Sequence, residues 1–272
     1  MERTDVRDYS ILDFMCKECG CGLGGDDVKI GGHAHGHDHH QSHDQDHHHD
    51  HGHEHGGKTL NLNLSLLEKN DRLAEQNRGF FRAKKLLVLN VVSSPGSGKT
   101  TFIRETAAKL AGRLRLGVIV GDLATDNDAA KLRTAGIPVV QITTGTVCHL
   151  DADMVAKAAA QMDLDQLDVL VIENVGNLVC PADYDLGEDL RVVLLSVTEG
   201  EDKPLKYPPI FHSAQVAVVT KSDMAAAAGF NRELALQNLE RVSHHARIFE
   251  LSAKTGDGMK AWLDFLAEQR AA

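Results

Sequence analysis

The sequence predicts an α/β protein with a mainly parallel sheet flanked by helices on both faces. Three observations support this prediction. Several aliphatic runs are apolar at nearly every position, which indicates strands that are buried on both faces. These runs alternate with segments whose apolar residues have helical spacing, as in a sheet covered by helices on both sides. A glycine-rich turn, SSPGSGKTT, follows the first run and is typical of a P-loop NTPase.

The predicted strands occupy aliphatic runs at 86–94, 116–122, 137–143, 167–176, 190–200, 214–223 and 246–254. The predicted helices between and after them lie at 99–114, 127–136, 151–162, 232–242 and 258–270. Ligands of such a sheet bind at the carboxyl ends of its strands, and every polar motif found within this part of the chain follows one of those ends.

Composition divides the chain into three predicted parts. Residues 1–57 are rich in His, Asp and Gly and have no helical or strand period, which predicts a flexible, disordered Cys/His-rich tail that binds metal. Residues 58–85 carry apolar side chains at helical spacing and are predicted to form a leading helix. Residues 86–272 form the predicted P-loop domain.

Charge and hydropathy exclude several classes of protein. The formal net charge is −10, whereas a nucleic-acid binder shows a basic patch or stripe. No apolar run is long enough to span a membrane, and the first residues, MERTDVRDYSILDF, lack the apolar region of a secretory signal. We therefore expect a cytoplasmic protein without nucleic-acid or membrane partners. Its five cysteines should be thiols or metal ligands and not disulfides.

The segment SPGSGKTT lies between a predicted strand and a predicted helix, as a P-loop requires. The Lys99 ammonium would neutralise the β- and γ-phosphates, and the Thr100 hydroxyl would bind Mg²⁺. Backbone N–H groups at the start of the helix would face the phosphates. The usual motif begins with Gly, whereas this chain has Ser93. The predicted phosphate-binding residues are Gly96, Ser97, Gly98, Lys99, Thr100 and Thr101.

Two later motifs indicate that the base is guanine. In VVTKSD, Lys221 and Asp223 have the spacing of the N-K-x-D motif, with Thr220 in place of Asn. A carboxylate at Asp223 can accept from two guanine N–H donors that adenine lacks. The LSAK motif adds Ser252, Ala253 and Lys254, and the Ala253 N–H can donate to guanine O6. Residues 86–272 are thus predicted to be a GTPase domain; a small-molecule kinase that uses ATP is the alternative.

The residues expected to act on the γ-phosphate follow two other strands. Glu173 stands where a Walker-B acid is expected, and the Gly176 N–H can donate to the γ-phosphate. Asp122 can bind a water of the Mg²⁺ ion or orient the attacking water. Together with Lys99 these three residues are the predicted catalytic set. No arginine finger is evident, so intrinsic hydrolysis should be slow.

Two candidate metal sites lie in the tail. The motif C-x-x-C-G-C brings together Cys16, Cys19 and Cys21, and three soft sulfurs suit Zn²⁺ or four-coordinate Ni²⁺. Interleaved Asp, Gln, Glu and Gly distinguish the histidine run from a purification tag, and its imidazoles should bind metals weakly and unselectively. These histidines are His33, His35, His37, His39, His40, His43, His47, His48, His49, His51, His53 and His55.

A third candidate site lies in the loops TVCHLDAD and GNLVCPAD. Cys148, His149 and Cys180 follow predicted strands, at the edge where loops and not core are expected. A single cysteine is more often a small buried hydrophobe than a metal ligand. From the residues alone, both interpretations stay open.

The motifs CxxCGC, SPGSGKT, GDLATDNDA, ENVGNLVCP, TKSD and LSAK, with the histidine-rich tail, resemble the HypB family of hydrogenase nickel-incorporation GTPases. The resemblance runs from about Cys16 to the C-terminus. It implies a SIMIBI-class G-domain that forms a homodimer when GTP binds. It also implies a tight nickel site on the three tail cysteines, and a weaker nickel or zinc site between subunits on Cys148, His149 and Cys180.

The resemblance also implies partners and a function. The partners would be a HypA-type nickel accessory protein, a SlyD-type chaperone and the large subunit of [NiFe]-hydrogenase. The chain would bind Ni²⁺ and use GTP binding and hydrolysis to control its delivery. Two alternatives remain: a urease-type nickel accessory GTPase, whose loop ligands come as Cys-Pro-His, and a nickel-storage protein with a regulatory G-domain.

Overall fold

The computed structural model describes residues 29–30 and 56–271, with side-chain surroundings from residue 65 onward. The predictions for Cys16, Cys19, Cys21 and the twelve tail histidines concern residues outside this part of the chain. They stay predictions.

One sheet runs through the described part of the chain, and the predicted fold class is confirmed. Its strands are β1 (Lys29–Ile30), β2 (Leu87–Ser93), β3 (Leu116–Asp122), β4 (Val139–Thr143), β5 (Val169–Gly176), β6 (Leu190–Ser196), β7 (Val216–Thr220) and β8 (Arg247–Glu250). They lie in the order β1-β4-β3-β5-β2-β6-β7-β8, and all neighbours are parallel except β1 and β4.

Two residues of the predicted tail form β1. Lys29 pairs with Thr143 and Ile30 pairs with Ile142 in an antiparallel ladder at the sheet edge. Two residues are too few to show an alternation of side chains, so no sequence period could indicate this strand.

The helices of the described part surround the sheet. They are α1 (Gly56–Ala83), α2 (Lys99–Leu110), α3 (Asn127–Thr134), α4 (Ala152–Ala159), α5 (Lys203–Lys206), α6 (Pro208–Ser213), α7 (Ala225–Ala228), α8 (Arg232–Ser243) and α9 (Met259–Ala271). The sequence analysis missed α5, α6 and α7, because helices of one or two turns contain too few residues to show a helical period. None of the described helices combines the length and the apolar character needed to cross a membrane.

Aliphatic side chains bury both faces of the sheet. One face packs against α2, α3 and α9, where Trp262 lies fully buried beside Phe102 and donates a hydrogen bond to Thr106 Oγ1 (3.0 Å). The other face packs against α1 and α4 at one end, and against α6 and α8 at the other. Both faces are therefore closed, and ligands must approach along an edge where the strands end.

The carboxyl ends of the central parallel strands meet at one edge of the sheet. Here β2 ends at Ser93, β3 at Asp122, β5 at Gly176 and β7 at Thr220. The segments that follow these four strands, together with those that follow β4 (Thr143) and β8 (Glu250), carry the polar motifs predicted within the domain.

Candidate nucleotide and metal site

The loop between β2 and α2 has the backbone of a phosphate-binding turn. Gly96 and Gly98 have φ angles of 75° and 99°, a left-handed region that favours glycine. Gly98 is the residue before the first turn of α2, so the N–H groups of that turn face the loop. An anion in the loop would meet these donors and the positive end of the helix dipole.

Ser93, which stands where the P-loop motif usually begins with Gly, holds the loop together. Its fully buried hydroxyl accepts from Lys99 Nζ (3.0 Å) and from the Ser97 hydroxyl, and donates to the Ser94 carbonyl (2.8 Å). Burial lowers the pKa of Lys99 from its usual value, although carboxylates around it, chiefly Glu173, oppose this effect. A phosphate beside Lys99 would supply the counter-charge that favours the ammonium form.

Glu173 is a buried carboxylate with one oxygen that lacks a partner. Its Oε1 accepts from Thr100 Oγ1 (2.7 Å), whereas its Oε2 is buried without a hydrogen-bond partner. Burial raises the pKa of Glu173 to about 7. A carboxylate oxygen and a hydroxyl at this spacing suit the hard, oxygen-preferring Mg²⁺ ion, so the residues present fit the predicted metal.

Asp122 organises the turn that follows β3. Its Oδ1 accepts from the backbone N–H groups of Ala124 (3.0 Å) and Thr125 (2.9 Å). The carboxylate therefore holds this loop at the edge that carries the P-loop. Its predicted part in hydrolysis remains a prediction.

The segment that follows β7 is tied to the P-loop. The Lys221 Nζ donates to the Gly96 carbonyl (2.7 Å), and Thr220 Oγ1 donates to the Ser97 carbonyl (3.0 Å). Thr220 replaces the Asn of the usual motif, and the sequence analysis assigned no contact to it. Its hydroxyl supplies a bond that only the fold could reveal.

Asp223 and Ser252 meet beside this segment. The Ser252 hydroxyl donates to Asp223 Oδ1 (2.6 Å), which joins the TKSD segment to the LSAK segment. Ala253 and Lys254 lie in the turn directly after Ser252. An exposed carboxylate at this position, anchored by a neighbour, can accept donors from a base.

Glu199 is a further carboxylate beside the P-loop, and the sequence motifs did not indicate it. Glu199 follows β6 in a single helical turn, and both its oxygens are buried without hydrogen-bond partners. Burial raises its pKa, although Lys203 opposes this effect. The Lys203 Nζ in turn donates to Ser94 Oγ in the P-loop (3.3 Å). No motif marked these residues.

Cys148, His149 and Cys180 come together at the same edge of the sheet. Their ligand atoms all lie within 4.8 Å of one another, and the two sulfurs are 2.9 Å apart. Within the described part of the chain, this is the one group of three or more His, Cys or acidic residues so arranged. All three are half-buried, so they do not behave as core residues. Two sulfurs and an imidazole suit Ni²⁺ and Zn²⁺.

Tyr184 holds the imidazole of His149 in place. The two rings are stacked with centroids 3.8 Å apart and planes at 23°. Burial lowers the pKa of His149, which favours the neutral ring that can bind a metal, and its Nδ1 is buried without a hydrogen-bond partner. Burial raises the pKa of Tyr184 to about 12, so its hydroxyl stays protonated. No local signal links Tyr184 to a histidine 35 residues earlier.

Asn177 joins the loops of Cys148 and Cys180 to the P-loop. It forms a backbone bridge with Ser93, and its Nδ2 donates to the Cys148 carbonyl (3.1 Å). The preceding Gly176 packs closely, since a Cβ at this position would lie 3.0–3.2 Å from Pro95 atoms. Asn177 was not among the predicted site residues, although its position between Gly176 and Cys180 could have indicated a role in linking them.

A buried polar network supports the loop that contains Cys180. Asn174 Nδ2 donates to Asn90 Oδ1 (3.2 Å), and Asn90 Nδ2 donates to Glu188 Oε1 (3.0 Å). Glu188 pairs with Arg191, whose Nη1 donates to the Ala182 carbonyl (3.1 Å) and whose Nη2 donates to the Tyr184 carbonyl (2.8 Å). The network therefore runs from the strand that contains Glu173 to the two carbonyls that flank residue 183.

Helix α1 connects the loops of Cys148 and Cys180 from outside the sheet. Asn77 Nδ2 donates to the carbonyls of Ala152 (2.8 Å) and Leu186 (3.1 Å). Asn70 accepts from the Ala152 N–H (2.9 Å) and donates to the Asp185 carbonyl (2.8 Å). The helix therefore links the segment after His149 to the segment after Cys180.

Comparisons with known proteins agree with this geometry. Residues 87–250 match the family model "CobW/HypB/UreG, nucleotide-binding domain". "Hydrogenase maturation factor HypB" of Escherichia coli (strain K12) is 49% identical over 215 residues, which cover 79% of this chain and 74% of that protein. "Hydrogenase/urease maturation factor HypB" of Helicobacter pylori (strain ATCC 700392 / 26695) is 39% identical over 217 residues, which cover 78% and 89%.

The fold is also similar to that of a solved structure, "Crystal structure of HypB from Helicobacter pylori in complex with nickel". The TM-score is 0.72 at 40% identity, and the match covers 75% of this chain and 95% of the other. The chain belongs to the CobW/HypB/UreG family of nucleotide-binding proteins, and within it to the HypB proteins.

Proposed function

We propose that this protein is a GTPase that binds Ni²⁺ and uses GTP binding and hydrolysis to control delivery of the ion to the large subunit of a [NiFe]-hydrogenase. One observation carries the proposal above all. A cluster of two thiols and one imidazole lies at the edge that holds the P-loop, and one of its thiols, that of Cys180, is only four residues beyond Gly176. The nickel-bound structure of a relative and the names of the relatives support the choice of cargo.

The residues around the P-loop act on GTP in the following way. The N–H groups of Gly96 to Thr101 and the Lys99 ammonium hold the phosphates, and Gly176 N–H donates to the γ-phosphate. Mg²⁺, when bound by Thr100 and Glu173, would offset the charge of the phosphates. Asp122 orients the attacking water, and with no arginine finger among the described residues the reaction is slow.

Selectivity for guanine comes from the loops after β7 and β8. The Asp223 carboxylate accepts from the two guanine donors, and the Ser252 hydroxyl keeps it in position. The Ala253 N–H donates to guanine O6, and the Lys221 and Lys254 side chains border the pocket. ATP would leave the Asp223 carboxylate without these donors, at a cost of about 1–3 kcal/mol.

Nucleotide state controls the metal site through the segment from Gly176 to Cys180. When the γ-phosphate holds Gly176, Asn177 keeps its bonds to Ser93 and Cys148, and the sulfur of Cys180 stays near that of Cys148. Three donors from one chain leave a four- to six-coordinate ion incomplete. A GTP-dependent homodimer would bring two such sets together, and hydrolysis would separate them and release Ni²⁺.

The remaining parts of the chain extend this function. The tail of residues 1–57 binds nickel, tightly at its three cysteines and weakly at its histidines, and residues 58–85 connect it to the GTPase domain at 86–272. A HypA-type protein and a SlyD-type chaperone are the expected partners, in the cytoplasm. Zn²⁺ is a further metal that the same thiol and imidazole ligands could bind.

A transfer experiment tests this proposal. Full-length protein loaded with radioactive nickel is mixed with a nickel-free hydrogenase large subunit, and the nickel in the subunit is counted. Transfer should require GTP and should fail with a non-hydrolysable analogue or with Lys99→Ala. Transfer that is equally fast without nucleotide would instead indicate a storage protein, whose G-domain has only a regulatory part.

Urease maturation is the second candidate function, because the Helicobacter pylori relative is named a hydrogenase/urease maturation factor. The same experiment with nickel-free urease as the acceptor distinguishes the two. Transfer to urease alone would replace the hydrogenase in the proposal and would leave the GTP-dependent mechanism intact.

A further inference from the structure

We propose a further metal site, for a first-row divalent ion, on the surface of the protein. It is formed by His212, His244 and His245. These three exposed histidines come from two distant segments of the chain, the end of α6 and the end of α8. The ring centroids of His212 and His245 are 5.4 Å apart, and those of His244 and His245 are 5.5 Å apart.

This spacing matches two imidazoles that share one ion. A tetrahedral ion with metal–nitrogen bonds of about 2.0–2.1 Å holds two ring centroids roughly 5 Å apart. The rings now meet edge to face, at 82° and 83°. The nitrogens of the three rings do not all lie within 4.8 Å of one another, so the side chains must rotate to reach a common point. All three are exposed and the terminal torsion of His is broad, which allows such rotations.

A hydrogen bond selects the tautomer of one ring. His212 Nδ1 lies 3.1 Å from the Val242 carbonyl oxygen. A carbonyl only accepts hydrogen bonds, so Nδ1 must carry the proton, and Nε2 of the neutral ring is left with the lone pair. A backbone carbonyl that fixes the tautomer in this way is a regular partner of metal-binding histidines.

The position of His244 at the end of a helix also favours a bound cation. His244 directly follows the last residue of α8, whose terminal carbonyl groups carry partial negative charge. A cation bound by His244 and His245 would lie near these carbonyls. Imidazole ligands suit Zn²⁺, Cu²⁺ and Ni²⁺, so the ligand class is a divalent ion of this kind.

The site lies away from the nucleotide. His212 precedes β7 and His245 precedes β8, so the cluster is at the amino ends of these parallel strands, whereas the P-loop and the Cys148–Cys180 pair are at carboxyl ends. Metal binding here should therefore be the same with GDP and with a GTP analogue. This independence separates it from the site of the proposed function.

Histidine labelling of the full-length protein tests the proposal, because mass spectrometry reports each histidine separately from those of the tail. Diethyl pyrocarbonate is applied with and without Zn²⁺, in the presence of GDP or a GTP analogue. Zn²⁺ should slow the labelling of His212, His244 and His245 severalfold, and equally in both nucleotide states.

The variant His245→Gln removes the ring that contacts both others, and so tests whether the three histidines act together. It should abolish the protection of His212 and His244 and leave the protection of other histidines unchanged. Because His245 is exposed, the variant should fold, which circular dichroism checks. Equal labelling with and without Zn²⁺, or protection that persists in the variant, would overturn the proposal, whereas the Cys180→Ser variant should not affect it.

Discussion

Glu173 occupies a position that is unfavourable for folding but suited to ligand binding. It is 2% exposed, one of its oxygens has no partner, and burial raises its pKa to about 7. An acid that is destabilised in this way would be stabilised by a cation that shares its oxygens. In the proposed function, this unpaired oxygen would be satisfied by Mg²⁺.

The variant Glu173→Gln tests this interpretation through stability. A folded-state pKa of about 7, against an ordinary 4.5, means that the carboxylate form opposes folding, and wild-type stability falls as pH rises from about 4.5 to 7. Gln does not titrate. In nucleotide- and Mg²⁺-free protein, urea unfolding should show that the stability of the variant relative to wild type increases by about 2–3 kcal/mol between pH 5 and pH 8. Parallel curves for the two proteins would contradict it.

The sequence could indicate site positions that a motif marks. It could not indicate contacts that only the fold creates. The position of Lys99, Thr100 and Asp223 at one edge of the sheet follows from motif spacing in a strand–loop–helix context, whereas their binding of phosphate and guanine stays a prediction. Thr220 and Tyr184 contact chain segments far away in sequence, Ser97 and His149, which no local pattern reports.

At the scale of elements, the loop from Cys180 to Tyr184 depends on a buried ion pair. Arg191 and Glu188 have side chains that are only 8% and 7% exposed, and Arg191 donates to the carbonyls of Ala182 and Tyr184. A buried pair is weak evidence for stability in itself, but removing one partner leaves a charge uncompensated. The planar guanidinium is what allows two carbonyls and a carboxylate to be bound at once.

The variant Arg191→Lys should weaken nickel binding at the loop site without weakening GTP binding. One ammonium cannot reach both carbonyls, so the free energy of unfolding should fall by about 1–3 kcal/mol. Nickel affinity is measured in the background of the tail-silent variant. This is a full-length chain with Cys16, Cys19 and Cys21 changed to Ser and the twelve tail histidines changed to Asn. Its control is Arg115→Lys, at an exposed pair with Asp168. Unchanged nickel affinity in Arg191→Lys would show that the loop does not need this support.

The long elements could be predicted, and the short ones could not. Seven strands and the helices of eight or more residues appear where apolar periodicity predicted them, with ends shifted by a few residues. β1 and the helices α5, α6 and α7 are too short for a period to develop, and β1 exists only through its pairing with β4. Tertiary contacts, which a local pattern cannot contain, decide such elements.

For the whole molecule, the central feature is that one sheet edge carries both a P-loop and a group of two thiols and one imidazole that could hold a metal ion. Cys148 and Cys180 are 32 residues apart in the chain, and their sulfurs are 2.9 Å apart in the fold. Two routes connect this pair to the P-loop: Asn177, through its contacts with Ser93 and Cys148, and the network that starts at Asn174 beside Glu173. Because the carboxyl ends of parallel strands meet at one edge, the sequence could predict which loops are near one another, but not these connecting side chains.

If the two sites are coupled, the coupling is reciprocal: GTP changes nickel affinity by the same factor as nickel changes GTP affinity. The most direct measurement is the nickel affinity of the tail-silent variant with GDP and with a non-hydrolysable GTP analogue. We predict tighter binding with the analogue, by about 5- to 150-fold for a typical coupling, and no difference after Cys180→Ser. Equal affinities in the two nucleotide states, with nickel bound at Cys148 and Cys180 in both, would contradict the claim that GTP controls the metal site.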